Sequence, residues 1–385
     1  MSTVRAPGKL LIVGEYSVVR TGRPAVVIAM DAGIRAEARA LSTAPGSRPA
    51  TGLGALVASS AFADSPLTWT PAPLNAPAAD RAAREPALRA LDVLAAYAHG
   101  AGAAPTPLDI TLTSSLADDA GTKYGLGSSG AVVVAVVAAA ADAWGLDLEP
   151  DTLFRVSALA VIAGSPSASC ADVAASVLGG WIFFRSFDRA AVLERAQSDG
   201  VHAAVHAPWP GLELRPLHVS ERLRVLVGWS GSPASTANLV AALDEAAATG
   251  AMDLEEWAER SEAATLALAR DLEAGDIAGV LDGIRASQRL LADLDHGARG
   301  DGRALGILTP ALGRMIDIAE AHGAAAKISG AGGGDCMIAL TDRDEVSTRV
   351  QQTWRSEGFT PLDLGLGALL VTTTHPAPAF EEEHR

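Results

Sequence analysis

The chain of 385 residues exceeds what one hydrophobic core organises, so two domains sharing a cleft are expected. With 49% apolar and 19% charged residues the composition is globular, not disordered. The net charge of -15 argues against nucleic acid or an anionic membrane as main partner, and an anionic substrate would need local positive charge against that field.

In chain order, "KLLIV" and "PAVVIAMD" are apolar strand runs and "IRAEARA" alternates, so residues 8–40 read as strands. Residues 64–86, rich in Pro, Ala and Asp, read as a surface excursion. "ALRALDVLAAYAHG" predicts a helix ending at Gly100, and "LDITLTSSL" a strand leading toward "GLGSSG". The Ala/Val run after that loop is too short to span a bilayer.

Beyond residue 185, "RVLVGW" predicts a strand, followed by helices. Asp253 and Glu256 stand in capping-box spacing, and Thr309, Pro310 and Gly323 mark the start and end of another helix. "AAAKISG" and "DCMIALT" read as strands around a second glycine loop; a helix near 343–357 and the strand "GALLVTTT" complete the pattern. Strands mixed with grouped helices predict two α+β domains, 1–185 and 186–375, with a disordered tail at 376–385. His202 and His206 have i,i+4 spacing, but beside Pro208 and Pro210 they read as loop residues and not a metal pair. Two distant cysteines, Cys170 and Cys336, form neither a metal motif nor a disulfide framework, and no apolar leader is evident, so a cytoplasmic location is expected.

Three segments carry chemistry. Gly125, Gly127 and Gly130 satisfy G-x-G-x-x-G, a pattern shared with dinucleotide folds and protein kinases. A dinucleotide fingerprint follows its strand at once, whereas the polar "ADDAGTK" intervenes here. Converging backbone N–H groups ahead of a helix favour a phosphate; the plain alternative is a tight turn capping a buried helix. Gly330, Gly332, Gly333 and Gly334 exceed what a hairpin turn requires and point to close backbone approach. In "RAPGKLLIVGEYSVV", Lys9 starts a strand and could point into a cleft; alone it would read as a solvated lysine, and Glu15 and Tyr16 are equally ambiguous.

Together "PGKLLIVGEYSVV", "GLGSSGA" and "SGAGGGD", in this order, resemble the three motifs of the GHMP kinase family. Within it, "SASCADVAASVLGGWIFFRSFD", "VGWSGSPASTANLV" and "KYGLGSSG" resemble the bacterial phosphomevalonate kinases more than mevalonate kinases. Related segments carry a glycine before the aspartate, where this chain has Cys170 and Ala171; Cys170 reads as a small buried residue.

The resemblance implies a two-domain fold, an N-terminal ribosomal-protein-S5-like α/β domain and a C-terminal ferredoxin-like α+β domain, with the site in the cleft between them. It implies ATP with Mg2+ and phosphoryl transfer to 5-phosphomevalonate; on oligomeric state, monomer or homodimer, the sequence is silent. Lys9 and Asp172 are then catalytic; Lys123, Gly125, Leu126, Gly127, Ser128, Ser129 and Gly130 bind ATP, with Ser129 toward Mg2+. Ser169, Ser235, Ser329, Gly330, Ala331 and Gly332 join Lys9 and Asp172 around the acceptor, and Ser230 and Ser232 are further hydroxyls in the matched segments. Mevalonate kinase, a non-catalytic metabolite-binding protein on this fold, and a nicotinamide oxidoreductase are the rival readings.

Overall fold

The computed structural model describes residues 1–41, 55–59, 66–117, 121–232, 236–248, 250–298 and 303–373. The tail 376–385 and Ser235, both subjects of sequence expectations, lie outside the described residues. The first half runs β1 (Ser2–Val13), β2 (Pro24–Ala40), β3 (Ala55–Ser59), β4 (Leu67–Trp69), α1 (Ala78–Ala83), α2 (Pro86–Gly100), β5 (Leu108–Ser114), α3 (Ser128–Ala143), α4 (Pro150–Gly164), α5 (Ala171–Leu178) and β6 (Trp181–Arg185). The second runs α6 (Arg189–Ser198), α7 (Val201–His206), β7 (Glu213–Pro216), β8 (Arg224–Trp229), α8 (Thr236–Ala247), α9 (Leu254–Ala274), α10 (Ile277–Gly297), α11 (Pro310–Ala321), β9 (Ala325–Ile328), β10 (Cys336–Thr341), α12 (Asp344–Ser356), β11 (Thr360–Leu362) and β12 (Leu370–Thr373).

Among the described residues, eight strands form the first sheet, in the order β12-β1-β2-β5-β3-β4 with β6 and β7 branching from β2. The second sheet is antiparallel, β11-β8-β10-β9, with α10, α11 and α12 packed against it. The first sheet therefore takes β7 and β12 from beyond residue 185, and the chain returns at its end to the strand where it began.

The two runs expected in 24–40 form one strand, continuous across an irregularity. Pro7 pairs with Gly33 and Gly8 with Met30, so Asp31 and Ala32 are left over on β2. Such a bulge bends and re-aims its strand, and Lys9 is the next residue along β1. Residues Ala131–Ala141 of α3 are all buried, as a helix apolar on every side must be. It packs against β1, β2, α2, α4 and α5, which makes its N-terminus a fixed point in the fold.

Two local expectations are corrected. The proline-rich stretch 64–86 contains β4, and Trp69 there is fully buried with its indole N–H donating to Asp92 Oδ1 at 2.7 Å. The pairing of β4 with β3 supplies an order that composition conceals. His202 and His206 lie on the short helix α7, which ends before Pro208. Their ring centroids lie 4.6 Å apart with the planes tilted by 56°, and Tyr97 Oη is 3.3 Å from His206 Nε2.

Candidate active site

Lys9, on β1 facing the bulged β2, meets the glycine loop, where its N–H donates to Leu126 O at 2.8 Å. Gly127 adopts the left-handed conformation (φ 76°) that starts α3, and having no side chain it caps nothing. The Lys9 stem crosses that spot: a Cβ on Gly127 would come 2.8 Å from Lys9 Cγ. One turn on, a Cβ on Gly130 would come 2.5 Å from Asp172 Oδ2. The two glycines thus admit a cation and a carboxylate against the loop.

Asp172 sits in the first turn of α5, with Val173 N donating to its Oδ1 at 3.0 Å and the backbone N–H of Gly130 favouring its charged form. Burial pushes its pKa up, against the opposing pull of the Lys9 charge and these N–H groups. Cys170, fully buried at the N-cap of α5, holds a left-handed φ of 64°. The position wants a glycine, and cysteine bears that strain at a cost of about 1–2 kcal/mol. Burial raises its thiol pKa well above the usual value, so it is not a thiolate nucleophile.

The second glycine loop is stapled across the domain boundary. Ser329 Oγ donates to Leu11 O at 2.9 Å and accepts from Leu11 N at 3.0 Å. The Tyr16 hydroxyl donates to Ala331 O, and Cys336 Sγ contacts Tyr124 O at 3.0 Å. Beneath them Lys327 pairs with Glu15, both side chains essentially inaccessible to water. Burial lowers the Lys327 pKa while Glu15 supports its charge. On the far side, buried Asp295 accepts from the N–H groups of Gly306, Ile307 and Leu308 at 2.8–3.1 Å. That turn carries Ile307 O, which accepts from Gly333 N at 2.8 Å.

A cavity of about 230 Å³ is lined by Lys9, Glu15, Tyr16, Ser169, Asp172, Gly330 and Ala331, among others. On the other side of the loop, cavities of about 350 and 410 Å³ share Lys123 and Ser128; Ser129 lines the first, Gly125 and Asp335 the second. The structure therefore brings Lys9, Asp172, Ser169, Gly330 and Ala331 together on one side and Lys123, Ser128 and Ser129 on the other.

Three expected residues stand differently. Leu126 is buried and presents only backbone, Gly332 packs against Ile307 O, and the Ser329 hydroxyl is engaged by β1. Sequence reasoning missed Lys327, Asp295, Asp335 and Arg189, which donates to Val19 O and Pro166 O. Asp335, directly after the glycine run, carried the one local signal.

No helix among the described residues is long and apolar enough to cross a membrane. The GHMP kinases N terminal domain model matches residues 86–180 and the GHMP kinases C terminal model residues 268–359. A phosphomevalonate kinase of Streptomyces sp. (strain CL190) is 39% identical over 368 residues, 93% of this chain and 95% of that protein. The crystal structure of the Lin0012 protein from Listeria innocua matches with a TM-score of 0.85 at 26% identity, covering 97% of this chain and 99% of that one. Streptococcus pneumoniae phosphomevalonate kinase, in complex with phosphomevalonate and AMPPNP, shares the fold with a TM-score of 0.78 at 22% identity over 95% and 99% of the two chains. With both domain models in order and a relative of this identity along nearly its whole length, the chain belongs to the GHMP kinase family.

Proposed function

We propose that the chain is a cytoplasmic phosphomevalonate kinase, transferring the γ-phosphate of ATP to (R)-5-phosphomevalonate to give 5-diphosphomevalonate and ADP. The observation that carries this is Lys9, whose stem crosses Gly127 between the acceptor cavity and the phosphate loop. The choice of acceptor follows the full-length similarity to the Streptomyces enzyme.

The chemistry is a problem of charge. A phosphomonoester has a second pKa of about 6 and is already a nucleophilic dianion at neutral pH. What opposes reaction is repulsion between acceptor and triphosphate, so positioning and neutralisation dominate. Lys9, a compact ammonium, bridges the two phosphates, and Asp172 orients Lys9 without taking a proton. Ser169, Gly330 and Ala331 border the acceptor, and the backbone of Gly125–Gly130 with Lys123 and Ser128 receives the ATP phosphates.

Among the described residues no cluster of three or more His, Cys, Asp and Glu could hold a metal. Magnesium needs none: it retains waters and takes one or two protein oxygens beside substrate phosphates. The exposed Ser129 hydroxyl on the cavity wall fits that requirement. When bound, the ion neutralises charge on the phosphates.

The test is ADP release with 5-phosphomevalonate and mevalonate in parallel. Turnover with the first and little with the second is expected. Comparable turnover on mevalonate would make the chain a mevalonate kinase instead.

A further inference from the structure

The second glycine loop is anchored at both ends by backbone hydrogen bonds. Ser329 N donates to Cys336 O at 3.2 Å, Asp335 N donates to Ser232 O at 2.7 Å, and Asp335 O accepts from Ser230 N at 3.0 Å. Between these ends Gly330, Gly332, Gly333 and Gly334 hold φ of 87°, 74°, 74° and 145°, and such a run has little stiffness of its own. Among the described residues its interior is held from outside at two points. The Tyr16 hydroxyl donates to Ala331 O, and Gly333 N donates to Ile307 O at 2.8 Å. Gly330 and Ala331, with Tyr16 itself, line the acceptor cavity.

Both points are backed by residues in uncommon states. Tyr16 (φ 59°, ψ −39°) is the centre of a γ-turn closed by Ser17 N donating to Glu15 O at 2.6 Å, a rare and strained form. Strain of this kind persists only where the surroundings over-determine it, and here the Tyr16 ring packs against the core of the second sheet. Burial, then the charges of Asp295 and Glu15, raise its phenol pKa, so the hydroxyl remains a donor. At the other point, the turn carrying Ile307 is held by Asp295. That fully buried carboxylate accepts from Gly306 N and Ile307 N through Oδ1 and from Leu308 N through Oδ2. Ile307 O then sets the limit of the loop, since a Cβ on Gly332 would come within 2.3 Å of it. We infer that Tyr16 and Asp295 are positioning residues for the acceptor, clamping the glycine loop from opposite domains so that it is ordered before the acceptor arrives. This rests on the acceptor reading above.

The test is steady-state kinetics of the full chain carrying Tyr16→Phe, which removes one oxygen and keeps the ring, or Asp295→Asn, which turns one acceptor into a donor facing the backbone N–H groups. In each, KM for 5-phosphomevalonate should rise about 5- to 30-fold, the cost of ordering one backbone residue on binding. The fall in kcat should be smaller, and calorimetric Kd for ATP should hold. A merely structural role lowers the melting temperature and the active fraction, so that kcat falls while KM holds; that pattern overturns the inference. A KM raised by Tyr16→Phe alone also overturns it, because Tyr16 would then touch the acceptor directly. If Asp295→Asn does not fold, hydrogen exchange across residues 329–335 in Tyr16→Phe decides: faster exchange than in the parent is expected, and parent-like exchange overturns the clamp. A parent without turnover on 5-phosphomevalonate overturns the acceptor reading instead, and is recognised before any variant is made.

Discussion

The stem of Lys9 lies across the backbone of Gly127, in the space that any other residue's Cβ would occupy. The glycine thus has two duties. It takes the left-handed turn that opens α3, and it leaves room for the cation beside the loop. Steric exclusion and backbone freedom here point to the same residue.

Gly127→Ala should therefore damage catalysis beyond its effect on folding. The methyl group must displace Lys9, and misplacing a catalytic group by about 1 Å costs on the order of 10²-fold in rate. A fall of that size in kcat, with the far-ultraviolet spectrum unchanged, is the expected outcome. Unaltered kcat would show that Lys9 does not act from this position.

Lys9→Met and Asp172→Asn separate the two charged partners. Loss of the cation should lower kcat by about 10²–10³, and more than the aspartate change. Stability follows a definite sign. A carboxyl whose folded pKa is raised favours the folded state while protonated, and that contribution is lost as pH rises through the raised value. Ionised Asp172 therefore costs stability at neutral pH. Asp172→Asn should melt higher than the parent near neutrality, with the difference closing on acidification. A rate that climbs with pH in Asp172→Asn, as hydroxide replaces a base, would make Asp172 a general base.

Glu15 and Lys327 close the interface with a fully desolvated ion pair. Glu15→Gln or Lys327→Met alone leaves one buried charge without its counterion and should cost about 3–5 kcal/mol. The double variant should recover most of that loss in denaturant titrations. Additive losses would show that the pair is not coupled.

Ser329→Ala distinguishes a staple from a substrate contact. Its hydroxyl serves both the N–H and the C=O of Leu11, and leaving them unpaired should cost about 1–3 kcal/mol. The KM for the acceptor should hardly move. A raised KM with unchanged stability would return Ser329 to the substrate site, where its sequence motif placed it.

Local sequence determined the parts whose causes are local. Hydrophobic period marked the strands, and an apolar run without a polar face marked α3 as buried. Asp253 and Thr309 accept from N–H groups at the starts of their helices, as their spacing predicted. Glycine loops announced themselves because few other residues occupy their backbone conformations.

Tertiary structure decided what depends on partners that a residue's immediate neighbours do not supply. Lys327 reads as a strand residue until Glu15 appears beneath it, and Ser329 as a free hydroxyl until Leu11 arrives. Trp69 looks like part of a loop until β3 pairs with its strand. Cys170 departs from the glycine expected there, and only the fold around it forces its left-handed turn. The reason is common to all four. A side chain's chemistry is written in its sequence position, but its partner and its dielectric are properties of the packed interior, which no local pattern encodes.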